Sequence, residues 1–202
     1  MIRVAVFVSG RGSNLQAVLN FPKLKNLIVV DSVFSDKKDC KAFQIASENS
    51  IDCFSLGDGE GLISYSGLAD FLKSRNVDLI VLAGFLKLVP NSVVREFKNR
   101  IINIHPALLP AFGGKGMYGI NVHKAVLSSS AKISGATVHF VDETYDTGKI
   151  IAQRKVDISD LDSAEAIAER VLKIEHELLP DVIEKFATNK IVFSNNKVEV
   201  LN

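Results

Sequence analysis

The first fourteen residues constrain the fold more than any other stretch of the chain. Ile2-Arg3-Val4-Ala5-Val6-Phe7-Val8 is a β-branched, apolar run broken only by Arg3, and it leads straight into Ser9-Gly10-Arg11-Gly12-Ser13-Asn14. A run without regular polar alternation suits a strand covered on both faces, as in a parallel sheet. Residues 14–21 then place Leu15, Val18 and Leu19 on one helical side. The alternation continues, with strand periods at 26–34, 53–56, 77–83 and 101–104 and helical periods at 39–48, 62–75 and 93–97. Such alternation requires crossover connections. The expected class is therefore α/β, an open, Rossmann-like, mostly parallel twisted sheet with helices on both faces.

After position 105 the rhythm changes. Residues 106–120 hold Pro106, Pro110 and the glycines Gly113, Gly114, Gly116 and Gly119, with no helical or strand period. Loops of that length inside a compact domain are more often functional than idle. A helix is expected at 122–128, then strands at 133–141 and 149–156 flanking a turn at 142–148. Residues 163–186 read as a long amphipathic helix with Ser163 at its N-cap, bent or interrupted at Pro180. The tail, Ile191-Val192-Phe193, Asn195-Asn196 and Val198-Glu199-Val200, reads as an antiparallel hairpin added at an edge. No repeat or linker divides the 202 residues, so one domain spanning 1–202 is expected.

Composition narrows the function. Hydrophobic residues at 47% and charged residues at 23% exclude a disordered chain. Lys+Arg 24 against Asp+Glu 23 leaves +1, which gives no general attraction to nucleic acid or an anionic membrane. Cys40 and Cys53 form neither a disulfide framework nor a CxxC metal pair, and read as reduced, buried thiols. No apolar stretch approaches a membrane span, and the opening run lacks a signal-cleavage site, so a cytoplasmic protein is expected.

Two segments carry chemistry. Ser9-Gly10-Arg11-Gly12-Ser13-Asn14 lies where a strand gives way to a helix, and a helix N-terminus favours an anion. A dinucleotide fingerprint would need glycine at position 15, where Leu15 stands, and no Gly-Lys-Ser/Thr follows. A single phosphate fits; an ordinary turn capped by Ser13 or Asn14 is the alternative. The second segment, Asn103-Ile104-His105-Pro106, ends a strand, so Asn103 and His105 face one side. An amide and an imidazole there can donate to a developing oxyanion or take an amine proton. Asp146, in Tyr145-Asp146-Thr147-Gly148, is the candidate partner whose charge would raise the His105 pKa. Taken alone, an Asp in a turn is more often a turn former than a catalyst, and a strand-end His is usually a hydrogen-bonded structural residue. His123, His139 and His176 lack metal-ligand spacing, so no metal is expected.

Together with Val81-Leu82-Ala83-Gly84-Phe85, Asn103-Ile104-His105-Pro106-Ala107-Leu108-Leu109-Pro110, Thr137-Val138-His139-Phe140-Val141 and Glu175-His176, the glycine loop resembles the phosphoribosylglycinamide formyltransferases. The resemblance spans nearly the whole chain. It implies formyl transfer from 10-formyltetrahydrofolate, as co-substrate, to the glycinamide amine of a ribosyl phosphate in purine synthesis. By the same resemblance Gly12, Ser13 and Asn14 hold the substrate phosphate, Asn103, His105 and Asp146 are catalytic, and Glu175 contacts the glycinamide or ribose. Leu86, Lys87, Leu88 and Val89, with Asn103 and the turn Asp142, Glu143, Thr144, Tyr145 and Asp146, contact the folate. The half at about 1–100 then binds phosphate and the half at about 101–202 binds folate and catalyses. The partners implied are these small molecules, with no nucleic acid or membrane, in a monomer or homodimer.

Two departures stand out. The loop after Pro110, Ala-Phe-Gly-Gly-Lys-Gly-Met-Tyr-Gly, is longer than the commoner form, and no basic residue stands at 64–66 for the folate tail, leaving Lys73 or Arg75 to compensate. Methionyl-tRNA formyltransferase, formyltetrahydrofolate deformylase and a non-enzymatic sugar-phosphate module are the competing readings. The first two usually carry an extra RNA-binding or regulatory domain for which this chain is expected to have no room.

Overall fold

The computed structural model describes residues 1–194 and 197–201. The chain divides into two compact units, Met1–Asn103 and Ile104–Asn202. In the first, β1 (Ile2–Val8) lies between β2 (Ile28–Ser35) and β4 (Leu79–Leu82). On the outer flanks, β3 (Asp52–Ser55) pairs with β2, and Ile101, Ile102 and Asn103 of β5 (Ile101–His105) pair with β4. Every pairing is parallel, in the order β3-β2-β1-β4-β5. The unbroken apolar runs are explained by burial: Val4 through Val8 are fully enclosed. Phe7 stacks on Phe34 with ring centroids 4.8 Å apart and meets Phe85 edge-on at 5.4 Å.

The crossover helices are α1 (Ser13–Asn20), α2 (Ala42–Glu48), α3 (Leu68–Ser74) and α4 (Asn91–Glu96). Two start later than their periodicity suggests. Before α2 the chain turns so that the Cys40 thiol and the Ala42 N–H both donate to the Gly10 carbonyl, each at 3.2 Å. Before α3, Ile63 is taken up in a bridge with Leu56, and Ser64 Oγ accepts the Gly67 N–H at 3.1 Å. Near the starts of the strands, buried Asp31 accepts from Arg3, from Arg75 Nε at 2.7 Å and from Ser32 Oγ at 2.8 Å. Arg75 also reaches Asp52 at 2.7 Å.

In the second unit β6 (Ile133–Phe140) and β7 (Ile150–Asp157) pair antiparallel, with Thr137 opposite Gln153. The helix α6 (Ala164–Ala187) packs on both strands and on α5 (Ile120–Ser128). Ser163 Oγ caps α6 by accepting the Ala166 N–H at 3.3 Å. The helix runs through Pro180 without interruption. Pro180 lies on the buried face, and Arg154 of β7 grips Glu177 at 2.6 Å and Asp181 at 2.9 Å on either side of it. The tail strands β8 (Ile191–Ser194) and β9 (Lys197–Val200) form their own two-stranded antiparallel sheet rather than extending an edge. Phe193 holds this sheet in place by packing 5.1 Å from the Phe140 ring, while Asn195 and Asn196 lie outside the described residues.

Candidate active site

In the first unit, Gly12 occupies the cap position of α1 with φ 81, and no side chain caps the helix. Ser13 and Asn14 are the first two helical residues, so neither serves as the cap. Glycine is required at position 12 twice over: a Cβ there would meet the Ala42 Cβ at 2.7 Å, in a backbone conformation that L side chains resist. The loop is pinned from both neighbouring strands. Ser9 Oγ donates to Asp36 at 2.6 Å and accepts the Leu86 N–H at 3.0 Å, while Ser9 N–H donates to the Gly84 carbonyl at 2.9 Å. Arg11 is exposed, and Asn14, three residues further on, is buried. The outcome is a rigid turn that presents the positive end of α1.

In the second unit, His105 ends β5 and Asp146 sits in the β6–β7 turn. His105 Nδ1 lies 3.6 Å from Asp146 Oδ1, so the structure brings these two predicted residues together. The same oxygen faces a residue that the sequence did not single out: His139 Nε2, on β6, at 3.5 Å. The other nitrogen of each ring contacts a carbonyl, His105 Nε2 at 2.9 Å from Phe112 O and His139 Nδ1 at 2.8 Å from Phe140 O. A carbonyl can only accept, which assigns a hydrogen to His105 Nε2 and to His139 Nδ1. Asp146 Oδ2 accepts the Gly114 N–H at 2.9 Å. Asn103 stands two residues before His105 on the same strand.

The turn that aims Asp146 is self-contained. Asp142 Oδ1 accepts the Thr144 N–H at 3.0 Å and the Thr147 hydroxyl at 2.8 Å, and Asp146 itself adopts a left-handed φ of 57. Gly148 serves close approach, because a Cβ there would sit 1.7 Å from the Phe140 carbonyl oxygen. At the facing loop a Cβ on Gly113 would meet Leu109 Cδ2 at 2.5 Å and Asp146 Cβ at 3.2 Å.

Burial sets the electrostatics. Desolvation pushes His105 below its ordinary value, outweighing the upward pull of Asp146 and of the Phe112 carbonyl. This corrects the expectation that the carboxylate would raise it: the charge is present, but the ring is only 3% exposed. Burial acts to raise Asp146, yet the hydrogen bond with His139, the His105 charge and the Gly114 N–H together hold it below the usual carboxylate range. At neutral pH the resting group is thus a carboxylate between two imidazoles, one of them, His105, neutral.

Other predicted residues take separate places. In the first unit Leu86, Lys87 and Leu88 are exposed and Val89 is buried, so Val89 offers a ligand only its backbone. Arg75 is committed to Asp31 and Asp52, and Lys73 pairs with Glu96 at 3.4 Å, so neither is a ready substitute for a folate-tail base. Glu143, Thr144 and Tyr145 are exposed on the β6–β7 turn. Glu175 lies on the buried stripe of α6 with Val171 and Leu178. His123, on α5, is also buried; its Nδ1 has no hydrogen-bond partner, and desolvation, with the nearby His105, takes it down to about 4. Among the described residues no His, Cys, Asp and Glu cluster is arranged to hold a metal, and no helix is long and apolar enough to cross a membrane.

Residues 2–183 match the family described as "Formyl transferase". A chloroplastic phosphoribosylglycinamide formyltransferase of Vigna unguiculata is 44% identical over 98% of this chain, which spans 65% of that protein's length. The Bacillus subtilis phosphoribosylglycinamide formyltransferase is 36% identical, covering 92% of this chain and 94% of its own. The crystal structure of glycinamide ribonucleotide transformylase 1 from Symbiobacterium toebii superposes with a TM-score of 0.88 at 34% identity, covering 100% of this chain and 95% of that one. A formyltetrahydrofolate deformylase from Pseudomonas syringae has a TM-score of 0.85 at 22% identity, covering 100% of this chain and 67% of that one; it shares the fold.

Proposed function

The chain belongs to the formyl transferase family, and on that premise we propose that it transfers the formyl group of 10-formyltetrahydrofolate to the amine of 5'-phosphoribosylglycinamide in purine synthesis. The observation that carries the reading is the His105–Asp146–His139 array, whose parts suit acyl transfer to an amine. The co-substrate supplies a formyl carbon activated by tetrahydrofolate as leaving group. Gly12, Ser13 and Asn14 bind the substrate phosphate at the N-terminus of α1. The exposed apolar side chains Leu86 and Leu88, with the backbone of Val89 and of the turn 142–146, take the folate, and Glu175 orients the glycinamide.

His105 and Asn103 donate to the formyl oxygen as it gains negative charge. His105 does so through Nε2, the nitrogen that carries its hydrogen in the resting structure. The proton given up by the attacking amine can be taken at the Nδ1 lone pair and shared with Asp146, so the imidazolium is stabilised when it forms although the resting ring is neutral. One proton leaves the attacking amine and one reaches the departing folate nitrogen. Asp146, braced by His139 and the Gly114 N–H, is placed to pass it. Holding both substrates in register supplies the remaining acceleration. The two free cysteines suit a reducing compartment such as the cytoplasm. Incubation with both substrates tests the proposal: formylated amine and tetrahydrofolate should appear together. Release of formate without amine formylation would point to a deformylase instead.

A further inference from the structure

The two contacts that the glycine-rich loop makes with the catalytic pair lie on either side of a single residue. His105 Nε2 donates to the Phe112 carbonyl at 2.9 Å, and Asp146 Oδ2 accepts the Gly114 N–H at 2.9 Å. Between them the covalent chain reads carbonyl, N–H, methylene, carbonyl, N–H, the methylene being Cα of Gly113. N-formylglycinamide, the reacting end of the product in the function proposed above, has the same five groups in the same order. The Phe112 carbonyl matches its formyl carbonyl, Gly113 matches its glycine, and the Gly114 N–H matches its amide N–H.

Two further observations separate this segment from an arbitrary stretch of backbone. A side chain on the central residue would crowd its surroundings: a Cβ on Gly113 would meet Leu109 Cδ2 at 2.5 Å and Asp146 Cβ at 3.2 Å, so both would have to shift. The space beside the carboxylate is thus shaped for glycine itself. Phe112, a bulky residue, is held at a left-handed φ of 57 to bring its carbonyl onto His105. The contact is made under backbone strain, and a ligand offering the same groups without it can replace the loop.

We propose that Phe112-Gly113-Gly114 is a built-in mimic of an N-acylglycinamide that blocks the catalytic pair in the free protein, and that N-formylglycinamide binds by displacing it through the same two side-chain atoms. The inference rests on the proposed substrate. It also assigns a selectivity: Asp146 accepts an amide N–H and repels a carboxylate, so N-formylglycine, which has no such N–H, does not compete.

The test uses the full chain and N-formylglycinamide, which carries neither phosphate nor folate. Backbone amide exchange followed by NMR should show Gly114 protected in the free protein, with exchange about tenfold faster or more at saturating N-formylglycinamide. N-formylglycine at the same concentration should leave it protected. In the Gly113→Ala variant the added methyl crowds Leu109 and Asp146 and weakens the loop's hold on the pair, so N-formylglycinamide should bind about tenfold more tightly as the competing loop contacts lose population. Binding that leaves Gly114 protected, release by N-formylglycine, no binding of N-formylglycinamide, or an unchanged affinity in Gly113→Ala would each overturn the proposal. If the variant does not fold, the wild-type exchange experiment decides alone. The formyl-transfer assay is read separately: transfer without loop release removes only the mimic, and loop release without transfer removes only the assigned reaction.

Discussion

Replacing Asp146 by asparagine removes one charge and little else. The side chain is nearly isosteric, and its amide oxygen can still accept the Gly114 N–H now made at 2.9 Å. Its NH₂ takes the place of the oxygen that now lies 3.6 Å from His105 Nδ1 and 3.5 Å from His139 Nε2. Asparagine also tolerates the left-handed φ of 57 at this position better than other substitutes. The melting temperature of Asp146→Asn should therefore stay within about 2 °C of wild type. The chemistry should not survive. An amide that donates to Nδ1 fixes His105 as a neutral acceptor there and cannot share the proton that develops, so kcat should fall by about 10²–10⁴, or roughly 3–5 kcal/mol. Asp146→Ala makes the contrast. It strands the Gly114 N–H at a cost of about 1–3 kcal/mol and forces a left-handed alanine at about 1–2 kcal/mol more, lowering the melting temperature by about 5–15 °C. Single-turnover formyl transfer and calorimetric melting measure the two effects independently. A folded Asp146→Asn protein with kcat within tenfold of wild type would refute the proton-sharing role. In the wild type, the lowered values of both His105 and Asp146 predict a rate that is flat across neutral pH and falls only toward acid.

Three further outcomes follow from the same structure. His123 titrates near 6.5 when unfolded and at about 4 when folded, so its stabilising contribution is present above 6.5 and is lost as pH falls toward 4; by linkage this is at most about 3 kcal/mol, and urea titrations of His123→Leu should show a flatter stability profile across that window. Asp31→Ala breaks the ion cluster with Arg3 and Arg75 and should cost about 2–4 kcal/mol near neutrality, measured by urea unfolding, with kcat unchanged in the folded enzyme. Because Asp31 is held below the ordinary carboxylate range, the gap from wild type should close as pH falls through that lowered value. Gly12→Ala places a Cβ 2.7 Å from Ala42 in a left-handed turn, and should raise KM for the phosphorylated amine about tenfold or more while sparing any phosphate-free analogue that still reacts.

What the sequence made legible was whatever depends on neighbours along the chain. The buried run of β1, the glycine turn into α1, and the placing of Asn103 and His105 two apart at a strand end are local patterns with one physical solution each. The start of α2 departs from its periodicity because the residues before it answer to distant partners: Cys40 and Ala42 both serve the Gly10 carbonyl across 30 or more positions. Pro180 leaves α6 uninterrupted for a related reason. A proline weakens a helix locally, but Arg154 holds the turns on both sides of it from another element.

The site shows the same boundary at the level of chemistry. Asp146 could be suspected from its turn, but its partnership with His139 depends on the β6–β7 register, in which a shift between Val138 and His139 changes the pairing just before the site. The sign of the His105 shift was also beyond the sequence. It is the difference between a charge that composition makes visible and a burial that only packing creates, and here burial wins. That balance has a functional logic. A permanently protonated His105 would hold its proton between itself and Asp146 and gain little when the formyl oxygen becomes negative. A ring kept neutral by burial, with a carboxylate waiting 3.6 Å away, gains most when charge appears beside it. Differential stabilisation of that kind accelerates a reaction, whereas uniform stabilisation of the resting state does not. The geometry is therefore better matched to a transient imidazolium than to a standing one.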